Sequence, residues 1–510
     1  MSKIKQLASQ TVWYGISSIL GKSLIFLQTP FLTRVLHSTK GMVEYGDYSL
    51  LYACIAILNI VYTYGFETAF FRYSNRPEID KKKLMQTTFG SMVLSTIGLS
   101  IILIFFRYPI SRFVAQYGHP EYITLSIFII AFDTFAVIPY ARLRQENKPR
   151  RYAFVNLSGV MLNMVLTVFF AGFLPKLAAT NPVGFWGVFF AKHTMVELLL
   201  YANLAQAVFV FLMLFPQWNK IKIKISKPLW RELFIYSSPM IITGLGGMVN
   251  ETMDRLMLVK WMPGGLEHAK LEQSIYSANY RLSIIITLFI TAFRMAAEPF
   301  FFSQAEDKHA PKLYARVMKW FVIVVCCAFL VTVLYMDIWQ MIAGGKYSKY
   351  RSGLGVVPIL LMANICLGIY YNQSVWYKLT NKMRAGMTIT LIGTCITIVI
   401  NYLFIPRFGM YASAWATFIC YCSMMVISYV WGHKYYPIPY NVKKILSYLA
   451  AMLILFFVQK GLMGLIPYTI VHLITATILM SVFLLLVIFA ERKEMVAFPV
   501  VGKYIAKIKK

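Results

Sequence analysis

Acidic residues are scarce in this chain: Asp and Glu number 20 in 510 residues, against 50 Lys and Arg. Charge of either sign is thin, at 14% of residues, where a soluble globular protein carries about a quarter. That balance excludes a water-soluble fold and points to a protein whose surface faces lipid. Long polar stretches are also missing, so no soluble domain is inserted between the apolar runs. The seven cysteines (Cys54, Cys326, Cys327, Cys366, Cys395, Cys420 and Cys422) lie inside those runs without metal or redox spacing, and the seven histidines form no HExxH or paired-ligand pattern. The cysteines read as small apolar fillers, and neither a metal nor a cofactor is expected. Alternation with period two is absent too, which excludes a porin-like barrel.

Continuous hydrophobic runs take up most of the chain, for example Phe321 to Met336 (FVIVVCCAFLVTVLYM) and His472 to Ala490 (HLITATILMSVFLLLVIFA). A helix needs roughly 20 residues to cross a bilayer, and about fourteen such spans are predicted. Three of the longest cover 46–71, 185–215 and 274–303. Lys3 and Lys5 precede the first run, but no small-residue cleavage site follows. Thr11 to Thr33 is therefore read as a span and not as a signal peptide.

The net charge of +30 does not point to nucleic acid, because the cations alternate with the spans. RPEIDKKK (76–83), RLRQENKPRR (142–151) and NKIKIKISK (219–227) fall in every second loop. The positive-inside rule then places both termini in the cytoplasm and reads the clusters as anchors beside anionic headgroups.

The two sides of the central basic loop resemble each other. LTRVL (32–36) aligns within one position of MDRLM (253–257), pairing Arg34 with Arg255. GDYSLLY (46–52) matches SIYSANY (274–280), and AFFRY (69–73) corresponds to EPFFF (298–302). This is the pattern of a transporter built from two repeats related by an axis along the membrane normal. The expected organisation is a six-helix bundle over 1–218, a connecting loop over 219–231, a second six-helix bundle over 232–432, two further helices over 433–490, and a basic tail over 491–510.

Fourteen spans in a six, six and two arrangement, the opening PFLTRVL (30–36), the stretch EYGDYSLLYACIAILNIVYTYGFETAFFRY (44–73) and IYSANYR (275–281) resemble the polysaccharide-repeat flippases. These belong to the multidrug/oligosaccharidyl-lipid/polysaccharide exporter superfamily. The resemblance runs along the whole chain and implies a fold and substrate class more than particular residues. It implies an all-α membrane protein, not an enzyme, that moves an undecaprenyl-diphosphate-linked oligosaccharide across the bacterial inner membrane by alternating access, for lipopolysaccharide O-antigen or capsule. It would place the protein beside a polysaccharide polymerase and chain-length machinery.

Such a substrate needs a polar, cationic lumen, and ionisable residues inside spans usually face one. Lys22, Arg281 and Arg294 are the candidates for holding the diphosphate, Arg as a fork and Lys as a point charge. An intramembrane ion pair or a snorkelling side chain accounts for each as well, and Arg294 with Glu298 has the i,i+4 spacing of a self-neutralising pair. Asp133, Glu197 and Glu298 are the candidate ion-coupling or lumen acids; Asp133 and Glu197 could carry a coupling proton or sodium ion, and a buried carboxylate bound to a polar neighbour accounts for them equally well. NETMDRLML (250–258) supplies Glu251, Asp254 and Arg255, which with Arg34 are expected to form a charge group at the outer mouth. The Tyr-rich GIYYNQSVWYK (368–378) offers aromatic faces for sugars or an interfacial belt.

Three alternatives stay open. A cation-coupled multidrug exporter would share the twelve-helix core, and a lipid II flippase would share all fourteen spans. A membrane polymerase or acyltransferase is more remote: there is no large outer loop, and His193 with Glu197 is the one His–acid pair within a span.

Overall fold

The computed structural model describes residues 20–495 apart from 22, 25, 75, 77, 147, 305, 306, 308, 342–348, 381, 466 and 467, and apart from the side chains of 296, 298, 299, 303, 465, 493 and 495. Among the described residues every regular element is a helix. The long helices are α1 (described as continuous over residues 26–35), α2 (Thr39–Thr63), α3 (Lys81–Phe105), α4 (Pro120–Gln145), α5 (Pro149–Thr180), α6 (Met195–Met213) and α7 (Lys227–Trp261). They continue with α8 (Leu266–Phe302), α9 (Ala310–Leu334), α10 (Val356–Leu379), α11 (Met383–Phe408), α12 (Met410–Tyr435), α13 (Val442–Gly464) and α14 (Thr469–Ala490). The thirteen from α2 onward are long and apolar enough to cross a membrane. Part of the predicted first span, 11–33, lies outside the described residues.

Helices α2 to α6 pack mainly on one another, and α9 to α12 pack with α8 in a second group, with α7 and α8 in contact with both groups. The final pair is an appendage of the second group. Phe329 and Leu330 of α9 share a core with Tyr448 and Met452 of α13 and with Ala476 and Phe483 of α14. Polar contacts reinforce this attachment: Lys319 holds Glu491 at 2.6 Å and Glu494 at 2.7 Å, Tyr448 donates to Glu491 at 2.6 Å, and His472 meets Asp337 at 2.8 Å. Lipid supplies no hydrophobic drive between helices, so close approach depends on small residues. Gly393 of α11 shows this: a Cβ there would stand 2.7 Å from the Met424 sulfur of α12.

Three predicted spans are broken. The 46–71 span starts earlier, where the Ser38 hydroxyl accepts from the Gly41 N–H at the head of α2. It stops at Tyr64 and Gly65, whose φ values of 34° and 74° are left-handed. A hydrogen bond of 2.9 Å between Tyr64 and Ser91 and packing of its ring on Phe66 hold that turn. The chain then resumes as a short helix, Phe66–Ser74. The 185–215 span breaks at His193, and the 274–303 span passes through a tight turn at Arg281–Ser283.

At one end of the molecule the two halves close on each other. Leu32, Tyr45, Tyr48 and Met195 of the first half share a core with Met257, Tyr276, Tyr280, Tyr350 and Leu360 of the second. GDYSLLY and SIYSANY, the segments that sequence similarity made equivalent, therefore face each other across the seam.

Candidate functional site

A cavity of about 910 Å³ opens inside the second half, walled by α7, α8, α10, α11 and α12, with Ile60 and Arg72 contributed by the first. Along α7 the wall runs from Ile235 to Glu251, about 24 Å at 1.5 Å per residue. Gly244 and Gly247, together with Ser238 and Thr243, keep this face of the helix narrow and polar. Most of the observed wall belongs to the second half, with Ile60 and Arg72 the lining residues from the first.

The wall carries four cations, Arg72, Arg294, Lys378 and Arg384, and one acid, Glu251. The Arg294 guanidinium lies 4.1 Å from the Tyr371 ring centroid, and Arg72 lies 4.3 Å from that of Tyr236, so aromatic faces orient both. Arg294, Tyr371, Ser374 and Lys378 also line one shared recess. Tyr370, Tyr377 and Tyr421 complete an aromatic lining. The Tyr-rich 368–378 segment thus supplies cavity wall. Its position follows from a break in α10 at Ser374, whose hydroxyl donates to the Tyr371 carbonyl at 2.6 Å.

The far end of the cavity is sealed by a buried charge group. Asp254 accepts from the Tyr276 hydroxyl at 2.5 Å and from the Arg255 N–H at 2.8 Å, and its carboxylate lies 3.4 Å from the Arg255 guanidinium. Arg255 donates in turn to the Glu251 carbonyl at 3.0 Å and lies 4.5 Å from the Tyr280 ring centroid. One turn below, Glu251 faces the cavity. Beyond this group Asp47 of α2 meets Lys270 of α8 at 2.7 Å and accepts from Gln116 at 2.7 Å.

The predicted residues divide accordingly. Arg294 and Glu251 line the cavity, and Asp254 and Arg255 close it. Arg34 is exposed, while its neighbours Leu32 and Leu36 share a core with Met257 and Tyr276. Arg281 falls in the tight turn of α8, within electrostatic reach of Tyr48 and Tyr52, and is absent from the cavity wall. Glu197 caps α6, accepting from the Thr194 N–H at 2.8 Å while the Thr194 hydroxyl accepts from the Glu197 N–H. His193 bonds the Phe189 carbonyl at 2.9 Å, so this His–acid pair is engaged elsewhere. Asp133 is exposed although surrounded by protein, near Tyr52 and Tyr140 in the first half. Lys22 and the Glu298 side chain lie outside the described residues. Sequence reasoning assigned no role to Arg72, Lys378 or Arg384, which lie at the ends of predicted spans. The AFFRY and EPFFF correspondence marked Arg72's segment without assigning it a role.

The sequence matches the profile of a family described as polysaccharide biosynthesis protein over residues 7–305. The chain belongs to that family. Among solved structures it is similar to a lipid II flippase MurJ in an inward closed conformation, with TM-score 0.72, 16% identity, 94% of this chain and 99% of that one covered. An inward-facing MATE family transporter of the MOP superfamily follows at TM-score 0.59 and 12% identity, covering 81% and 94%. A MATE protein in complex with MaL6 has TM-score 0.56 and 14% identity, covering 83% and 95%. No curated protein matches the sequence. The comparisons thus show a member of a polysaccharide biosynthesis family with the fold shared by these structures, and its helices are long and apolar enough to cross a membrane many times.

Proposed function

We propose that the chain moves an undecaprenyl-diphosphate-linked oligosaccharide across the bacterial inner membrane by alternating access, supplying a surface polysaccharide such as O-antigen or capsule. The observation that carries this reading is the cation-rich, tyrosine-lined cavity that ends at the Asp254–Arg255–Tyr276 seal. Arg294 and Lys378, on two helices but in one recess, suit a diphosphate: the guanidinium offers a fork to its oxygens and the ammonium a point charge. Tyrosine rings beside them suit sugar faces, and the lipid chain would stay in the bilayer. By the positive-inside rule the basic loops and both termini are cytoplasmic, so the cavity would open inward and the seal would face outward. Asp133, exposed yet enclosed in the first half, is the described acid best placed to take a coupling proton or sodium ion.

A lipid II flippase is the second reading, favoured by the likeness to MurJ; the appended α13 and α14 fit it and the first reading alike. A multidrug exporter fits less well, because the cavity wall carries four cations and one acid.

Deleting the gene should trap undecaprenyl-linked oligosaccharide in the inner leaflet and remove the surface polysaccharide. Unchanged polysaccharide together with a new drug susceptibility would overturn the proposal. Rescue of a strain depleted of its lipid II flippase would favour the second reading.

A further inference from the structure

A second pocket, of about 260 Å³, lies on the seam between the halves and away from the cationic cavity. Leu51 and Cys54 of α2, Ile123 and Ile127 of α4, and Met253 and Leu256 of α7 are among its walls, so both halves contribute. Among the described lining residues Ser126 alone carries a polar N or O side-chain atom, and its hydroxyl donates to the Tyr122 carbonyl at 2.8 Å. The described lining residues therefore offer no group suited to a sugar, a phosphate or an ion. The walls suit a hydrocarbon chain.

The rim indicates which chain. Phe113, a lining residue, is 57% exposed, and the Lys260 ammonium lies 3.4 Å from its ring centroid. Lys260 is exposed at the end of α7 and within electrostatic reach of Cys54 inside the pocket. Met253 and Leu256 lie seven and four residues before Lys260, about 11 and 6 Å deeper along α7. A cation at the mouth with about 10 Å of apolar wall below it matches a headgroup phosphate above the first methylenes of its own acyl chain. The exposed apolar residues Ile101, Ile102 and Phe105 on neighbouring α3 set this face against lipid.

We propose that this pocket binds one acyl chain of an anionic phospholipid, its phosphate held by Lys260, as a wedge that touches both halves while the seam is closed. A ligand that contacts both halves in one state only shifts the equilibrium toward that state. The inference does not depend on the identity of the transported substrate.

The test places the full chain in phosphatidylcholine nanodiscs doped with phosphatidylglycerol that carries a diazirine part-way down one acyl chain. Adducts should concentrate on 51–58, 123–130 and 253–256 well above those on α14. Lys260→Glu should reduce them by at least about fivefold, the weight of a cation near anionic headgroups. Cys54→Trp should abolish them by filling the pocket, and if it does not fold, Ile57→Trp replaces it. Labelling no stronger than on α14, equal labelling by a zwitterionic probe, or displacement by a polyprenyl diphosphate at equal concentration would each overturn the proposal.

Discussion

Asp47 and Lys270 meet at 2.7 Å across the seam between the two halves, each side chain about nine-tenths buried. The pair joins α2 to α8, and Gln116 holds the carboxylate in place at 2.7 Å. Removing one partner of a buried pair leaves the other charge uncompensated, which costs on the order of 3 kcal/mol. Asp47→Asn should therefore weaken the closed seam specifically. A cysteine placed at buried Ser277 would be labelled at least about fivefold faster by an impermeant maleimide, the factor that about 1 kcal/mol gives. The swap of Asp47→Lys with Lys270→Asp should slow labelling again, and unchanged labelling in Asp47→Asn would remove the pair from the gate.

Gly46 marks how closely the same seam closes. A Cβ there would stand 2.7 Å from the Gln273 side-chain oxygen and 2.8 Å from the Lys270 carbonyl. Gly46→Val should prevent this closure and trap the seam open, leaving the protein in the membrane but without transport. Spin labels on α2 and α8 would read the separation as a longer distance; an unchanged distance distribution would count against it.

Arg294 differs from a simple positive charge because it both stacks on Tyr371 and presents a fork. Arg294→Ala should abolish complementation of a deletion strain while the protein still reaches the membrane. Arg294→Lys keeps the charge but loses one charge-assisted bond, worth about 1.5 kcal/mol, so transport should fall about tenfold. Full activity of Arg294→Ala would place substrate binding elsewhere.

Glu491 tests the attachment of α13 and α14. Burial pushes its carboxyl up, but hydrogen bonds from Lys319, Lys444 and Tyr448 outweigh that and hold it below its ordinary 4.5. A depressed acid stabilises fully above its unfolded value and ceases to do so as pH falls through the folded one. Thermal melts should therefore show a stability loss below about pH 4.5 that is absent in Glu491→Gln. At neutral pH Glu491→Gln should itself cost about 1–3 kcal/mol, and identical pH profiles for the two proteins would refute the linkage.

The sequence by itself determined the class and the approximate position of the helices from α2 onward. Both rest on local chemistry: little charge, and apolar runs long enough for a bilayer. It also singled out Arg294 and the charged group at 250–258, because charge within an apolar helix is costly and rarely without purpose. Only the tertiary structure decided what those charges do. Glu197 reads as a lumen acid in one dimension, but a break at His193 makes it the cap of α6. Arg72, Lys378 and Arg384 carry no assigned role in one dimension, but the turn at Tyr64–Gly65 and the break at Ser374 bring the first two, with Arg384 at the head of α11, to one cavity wall. Such breaks depend on contacts between distant helices, as when Ser91 holds Tyr64. Periodicity along the chain carries no record of them.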